Sequence, residues 1–86
     1  MIDQLQRASL SIPANIVEGS SRLTDRDFVK FLNIALASAS EVEYQLEFAS
    51  QAGIISSRDS ELRRAVLVEL RKMLAGLIKY LRHENL

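Results

Sequence analysis

Apolar or small residues recur at Ile2, Leu5, Ser9, Ile12 and Ile16, a 3,4,3,4 spacing that marks one face of a helix. The stripe passes through Pro13. Proline cannot donate to the carbonyl of Ser9 and its ring crowds that carbonyl, so the pattern predicts one helix over about residues 2–19 with a kink at 9–13. Gly19 is placed as the left-handed residue after its end, with Ser20 and Ser21 opening the loop.

A second helix, over about residues 25–52, begins after Thr24, whose hydroxyl can cap it while Asp25 and Asp27 sit in the first turn. Phe28, Leu32, Ala35, Ala39, Val42, Leu46 and Ala49 then follow a strict seven-residue repeat, and the alanines invite close approach of a neighbouring helix. Gly53 ends it. On the other side Ile34, Ala37, Tyr44 and Phe48 form a weaker apolar stripe that a monomer has no use for, so Ile34, Tyr44 and Phe48 are the candidate subunit interface.

A third helix, over about residues 58–83, starts at Ser56 or Ser57 as its cap. Leu62, Val66, Leu70, Met73, Leu74, Leu77, Ile78 and Leu81 make a face wider than one seam, which predicts contact with two or more neighbours. Gly76, which costs about 1 kcal/mol against alanine in a helix interior, predicts close approach of another backbone. No stretch alternates with period two. The fold class is therefore all-α: an up-down antiparallel bundle of three helices in one domain, residues 1–86.

Length changes the picture. A chain of 86 residues buries only about 60% of the surface exposed on unfolding. It has no cysteine for a disulfide or a thiolate metal site, so association with other subunits is the remaining common remedy for a small core. Uninterrupted apolar runs such as Ala65–Val68 reach four residues, far short of a membrane span, and the N-terminal residues lack a signal-peptide pattern. The expectation is a cytoplasmic protein with no membrane partner.

Net charge is zero, but its distribution is uneven: residues 24–53 carry two basic and five acidic groups, residues 54–86 seven and four. Opposite charge on adjacent antiparallel helices first predicts mutual ion pairing, and only then a binding surface.

Catalytic constellations are poor. Glu43 and Glu47 share a helix edge while Glu41 points elsewhere, and a solvated or ion-paired face explains them. A di-iron bundle site needs Glu-x-x-His, and His83, the single histidine, has no glutamate three residues before it. No metal, cofactor, catalytic residue or small-molecule substrate is indicated. Asn15, beside Ile16, is read as a polar residue that fixes helix register.

Arg64, Arg71 and Arg82 fall on one line of the third helix, with Lys72 and Lys79 on an adjacent line. These five residues are the candidate nucleic-acid contact: one copy binds phosphate weakly, but repetition around a ring of subunits multiplies the contacts. Its rival is a face solvated or paired with Glu43 and Glu47. The few aromatics fall on or near packing faces, so base stacking is not indicated.

The blocks LQRASLSIPANIVEGSSR, DFVKFLNIALASASEVEYQLEFASQAGII and RKMLAGLIKYLR, in that order, closely resemble the four-helix-bundle proteins encoded in intervening sequences of bacterial 23S ribosomal RNA genes. That resemblance implies a bundle assembling as homopentamers, and relates the chain to the accessory protein of diversity-generating retroelements, a partner of nucleic acid and a reverse transcriptase. It carries over no catalytic residue. Family members have a further helix before the block that begins at Leu5, so four helices are implied where these residues supply three. The expectation is an open wall around Ile12, Leu32 and Leu70, filled by a neighbouring subunit or by a segment upstream. Function is expected to be that of a non-enzymatic, self-associating RNA or ribonucleoprotein accessory module, with a protein-protein scaffold as the alternative.

Overall fold

The computed structural model describes residues 2–83, folded as three helices: α1 (Ile2–Ser20), α2 (Asp25–Gln51) and α3 (Ser57–Leu81). α2 packs against both flanking helices, whereas no Cα atom of α1 lies within 8 Å of one in α3. The Cα atoms span 44 × 29 × 12 Å, so the helices lie side by side as a single layer.

The seven-residue repeat of α2 forms the centre. Leu32, Ala35, Ala39, Val42, Leu46 and Ala49 are all buried, joined by Ala8 and Ile12 of α1 and by Leu74 and Ile78 of α3. Phe28, expected in that series, is half-buried and Val29 is buried, because a helix flanked on two sides needs a broader stripe than one seam. Of the three residues around which a partly uncovered wall was expected, Ile12 and Leu32 are buried and Leu70 is half-buried.

Caps set the ends. Thr24 and Ser56 adopt extended backbone and their hydroxyls accept the amides of Asp27 and Asp59 at 3.2 and 3.0 Å. At the end of α2, Gly53 takes φ +75°, its amide bonds the Ser50 carbonyl at 3.1 Å, and the Ile54 amide bonds the Ala49 carbonyl at 2.8 Å, a Schellman closure. α3 stops at Leu81, two residues before the expected end, because Arg82 caps it and His83 enters the left-handed region at φ 57°.

Two glycines are not what their positions suggest. Gly19 lies inside α1, buried, and a Cβ there would meet Phe28 Cδ1 at 2.7 Å and Phe31 Cβ at 2.8 Å. It admits α2, and the turn is closed instead by the Ser20 and Ser21 hydroxyls, which donate to the carbonyls of Val17 and Glu18, each at 2.8 Å. Gly76 has open space around it, so no backbone approaches it among the described residues. α1 continues as one helix through Pro13; Ser9 and Pro13 are both exposed, so the carbonyl that loses its donor lies where water reaches it.

Candidate nucleic-acid and subunit interface

Antiparallel packing of α2 on α3 brings the acidic edge of one against the basic line of the other. Arg71 donates through Nε and Nη2 to the two carboxylate oxygens of Glu43, and the Arg64 guanidinium lies 3.8 Å from Glu47. Lys72 lies 3.7 Å from Glu69 on its own helix. Three of the five candidate phosphate contacts therefore have carboxylate partners. Lys79 and Arg82 have none among the described residues, and both lie at the C-terminal end of α3.

The charged line and the apolar stripe of α2 are separate surfaces. Ile34, Tyr44 and Phe48 are 47%, 70% and 49% exposed on the side of α2 away from its core face. Tyr44 and Phe48 flank a shallow notch with Glu47 and Gln51.

Sequence reasoning placed the wide apolar face of α3 against several neighbours. In the single layer α3 packs against α2, and Leu62, Val66, Met73, Leu77 and Tyr80 are exposed. Beside this stripe, Leu5 and Ser9 of α1, Val42 and Leu46 of α2, and Ile55, Val66 and Leu67 line an open trough of about 480 Å³. The width of the stripe was visible in the sequence; that α1 and α3 stay apart was not.

Polar groups elsewhere link helices. Ser11 Oγ and Ser38 Oγ are 2.8 Å apart, and Asn15 Nδ2 donates to the Ser11 carbonyl at 2.7 Å and its hydroxyl at 2.9 Å. Both Asn15 bonds stay within α1, and the contact to α2 is made by Ser11. Ser60, buried, donates to the Leu46 carbonyl at 3.2 Å and pins the start of α3 to α2.

One further cluster depends on the antiparallel pairing and was missed. Where α2 begins and α3 ends, Arg26, Lys30, Asn33, Arg82 and His83 surround a cleft of about 510 Å³. Linear charge bookkeeping hid it, because Arg26 and Lys30 are the two basic residues of an otherwise acidic segment. The up-down order of the helices is the signal that places them beside Arg82.

The side chains weighed as catalytic candidates stand apart from one another or are paired. Glu41 is exposed, Glu43 is held by Arg71, and His83 Nε2 lies 3.8 Å from Asp25. No group of three or more His, Cys, Asp or Glu side chains converges as metal ligands among the described residues. No described helix is long and apolar enough to cross a membrane.

Comparison with known proteins adds a family. Residues 1–76 match the family described as 23S rRNA-intervening sequence protein. Among solved structures, the chain is similar to a protein of unknown function from the S23 ribosomal protein family of Bacteroides thetaiotaomicron VPI-5482, with 36% identity and a TM-score of 0.87. That similarity covers 90% of this chain and 71% of the other. No curated protein matches.

Proposed function

The chain belongs to the 23S rRNA-intervening sequence protein family, and on that premise we propose that it is a non-enzymatic, self-associating helical-bundle protein that serves as an RNA or ribonucleoprotein accessory module in the cytoplasm. The observation that carries this reading is the one-layer fold itself. A chain with the exposed apolar stripes of Tyr44 and Phe48 on one helix and Leu62, Val66 and Met73 on another gains by covering them with further subunits. The resemblance implies five.

In such a ring each α3 presents Lys72, Lys79 and Arg82 again, and several weak phosphate contacts sum to useful affinity despite zero net charge. Contact is with backbone and shape. Arg64 and Arg71 contribute less than their position on the line suggests, since Glu47 and Glu43 already answer them.

A protein-protein scaffold is the second reading, and those ion pairs favour it. Two sets of variants separate the readings. Phe48→Glu is expected to lower oligomer mass in sedimentation while helicity is kept. Lys72→Glu, Lys79→Glu and Arg82→Glu together are expected to abolish binding of structured RNA with the mass unchanged. Undiminished RNA affinity in the triple variant would remove α3 as the contact surface.

A further inference from the structure

We propose that the cleft between the start of α2 and the end of α3 is an anion site built for a phosphate group, held chiefly by Arg26 and Arg82 with Lys30 and Asn33 in support. Arg26, Lys30 and Asn33 line it from the first turns of α2, and Arg82 and His83 from the cap of α3. Buried Val29 and half-buried Leu81 form its apolar floor.

Its volume of about 510 Å³ falls within the range of small-ligand sites. Two guanidiniums, each with five donors in a planar fork, match phosphate oxygens in pairs, and an ammonium and an amide add further donors. The local charges decide the sign. Among the described residues Asp25 is the one carboxylate lining the cleft, and His83 Nε2 stands 3.8 Å from it. Lys30 lies 3.7 Å from Asp27, an exposed pair of the kind that contributes little and yields readily to a doubly charged ligand. Arg26 and Arg82 have no carboxylate within ion-pair distance among the described residues, in contrast to Arg64 and Arg71. The α2 dipole favours an anion here and the α3 dipole opposes it, so the side chains set the preference.

Backbone geometry holds the two sides in place. His83 adopts φ 57° and its amide bonds the Tyr80 carbonyl at 3.0 Å, which ends α3 and turns Arg82 and His83 to the mouth of the cleft. Across from them, the Thr24 cap fixes the first turn of α2.

The phosphate could come from an RNA backbone or from a free phosphorylated ligand. The RNA source rests on the accessory-module reading; the anion site does not. The test uses the whole chain, inorganic pyrophosphate followed by amide NMR shifts, and a labelled RNA duplex followed by anisotropy. Variants are Arg26→Gln with Lys30→Gln, against Arg58→Gln with Arg63→Gln, which removes the same charge near the other end of α3. All four residues are exposed, so helicity is kept.

The expected result is pyrophosphate shifts centred on residues 26–33 and 82–83, with affinity about tenfold or more weaker in Arg26→Gln/Lys30→Gln and unchanged in the control. For RNA, the same variant is expected to flatten the log-log salt slope by about 1.8, two contacts at about 0.9 each. Loss of pyrophosphate with RNA affinity intact would uphold the site and assign its phosphate to a free ligand. Equal losses in both variant pairs, or none in either, would overturn the site. RNA binding that survives in Arg26→Gln/Lys30→Gln but fails in Lys72→Gln/Lys79→Gln, with no pyrophosphate effect, would overturn it and leave the accessory-module reading standing.

Discussion

Arg71 holds Glu43 by both carboxylate oxygens across a separation of 28 residues, and this is the firmest polar tie between α2 and α3. Glu43 keeps 16% of its side-chain surface and Arg71 37%, so the pair is partly screened from water. Losing one partner there is expected to cost about 1–2 kcal/mol, between an exposed pair and a buried one. Glu47→Ala, which breaks the half-exposed pair at 3.8 Å with Arg64, is expected to cost under about 0.5 kcal/mol. Urea unfolding of Glu43→Ala, Arg71→Ala and the double variant checks this. A coupling energy near zero would mean that the contact adds nothing beyond packing.

The three glycines respond to alanine in different directions. Gly19→Ala drives a Cβ to 2.7 Å from a Phe28 ring carbon and 2.8 Å from Phe31 Cβ, and is expected to destabilise by about 1–3 kcal/mol. Gly53→Ala has space but must adopt φ +75°, a cost of about 1 kcal/mol. Gly76→Ala meets nothing and is helical, so the monomeric fold is expected to gain about 0.5–1 kcal/mol. Thermal unfolding of the three variants ranks them. Should Gly76→Ala lower oligomer mass instead, another subunit's backbone lies against it.

Those glycines also mark the boundary of what the sequence conveys. The repeat from Leu32 to Ala49, the hydroxyl caps at Thr24 and Ser56 and the left-handed Gly53 are local properties, written in spacing and residue type, and all stand in the structure. Gly19 and Gly76 depend on what lies across from them, which spacing does not encode. A glycine near a loop reads as a cap whether or not two phenylalanines crowd it. The candidate site divides the same way. Alignment of Arg64, Arg71 and Arg82 is a helix property, whereas the claims of Glu43 and Glu47 on two of them, and the convergence of Arg26 with Arg82, arise only when helices pair.

Ser11 and Ser38 form a polar contact between α1 and α2 beside an open cleft that Gln4, Arg7 and Glu41 also line, and Asn15 donates to Ser11. Ser38→Ala removes one hydroxyl and leaves Ser11 bonded to Asn15, so the expected cost is about 0.5–1.5 kcal/mol. Asn15→Ala with Ser38→Ala is expected to exceed the sum of the single changes, because Ser11 then loses both partners. Chemical denaturation of the three variants measures it. Strict additivity would show that the three groups do not act together.

Self-association and phosphate contact are joined in this account, since one copy of a neutral chain offers few cations and a ring offers many. The measurement that bears most directly on it is fluorescence anisotropy of a labelled structured RNA against the purified chain across a salt series, with oligomer mass read by light scattering on the same sample. The expected result is a multimer whose affinity falls linearly on log-log axes, at about −0.9 per phosphate contact for a duplex or about −0.7 for a single strand. A well-formed multimer that binds no RNA at low salt would contradict the RNA contact, and a stable monomer would contradict the assembly from which that contact draws its strength.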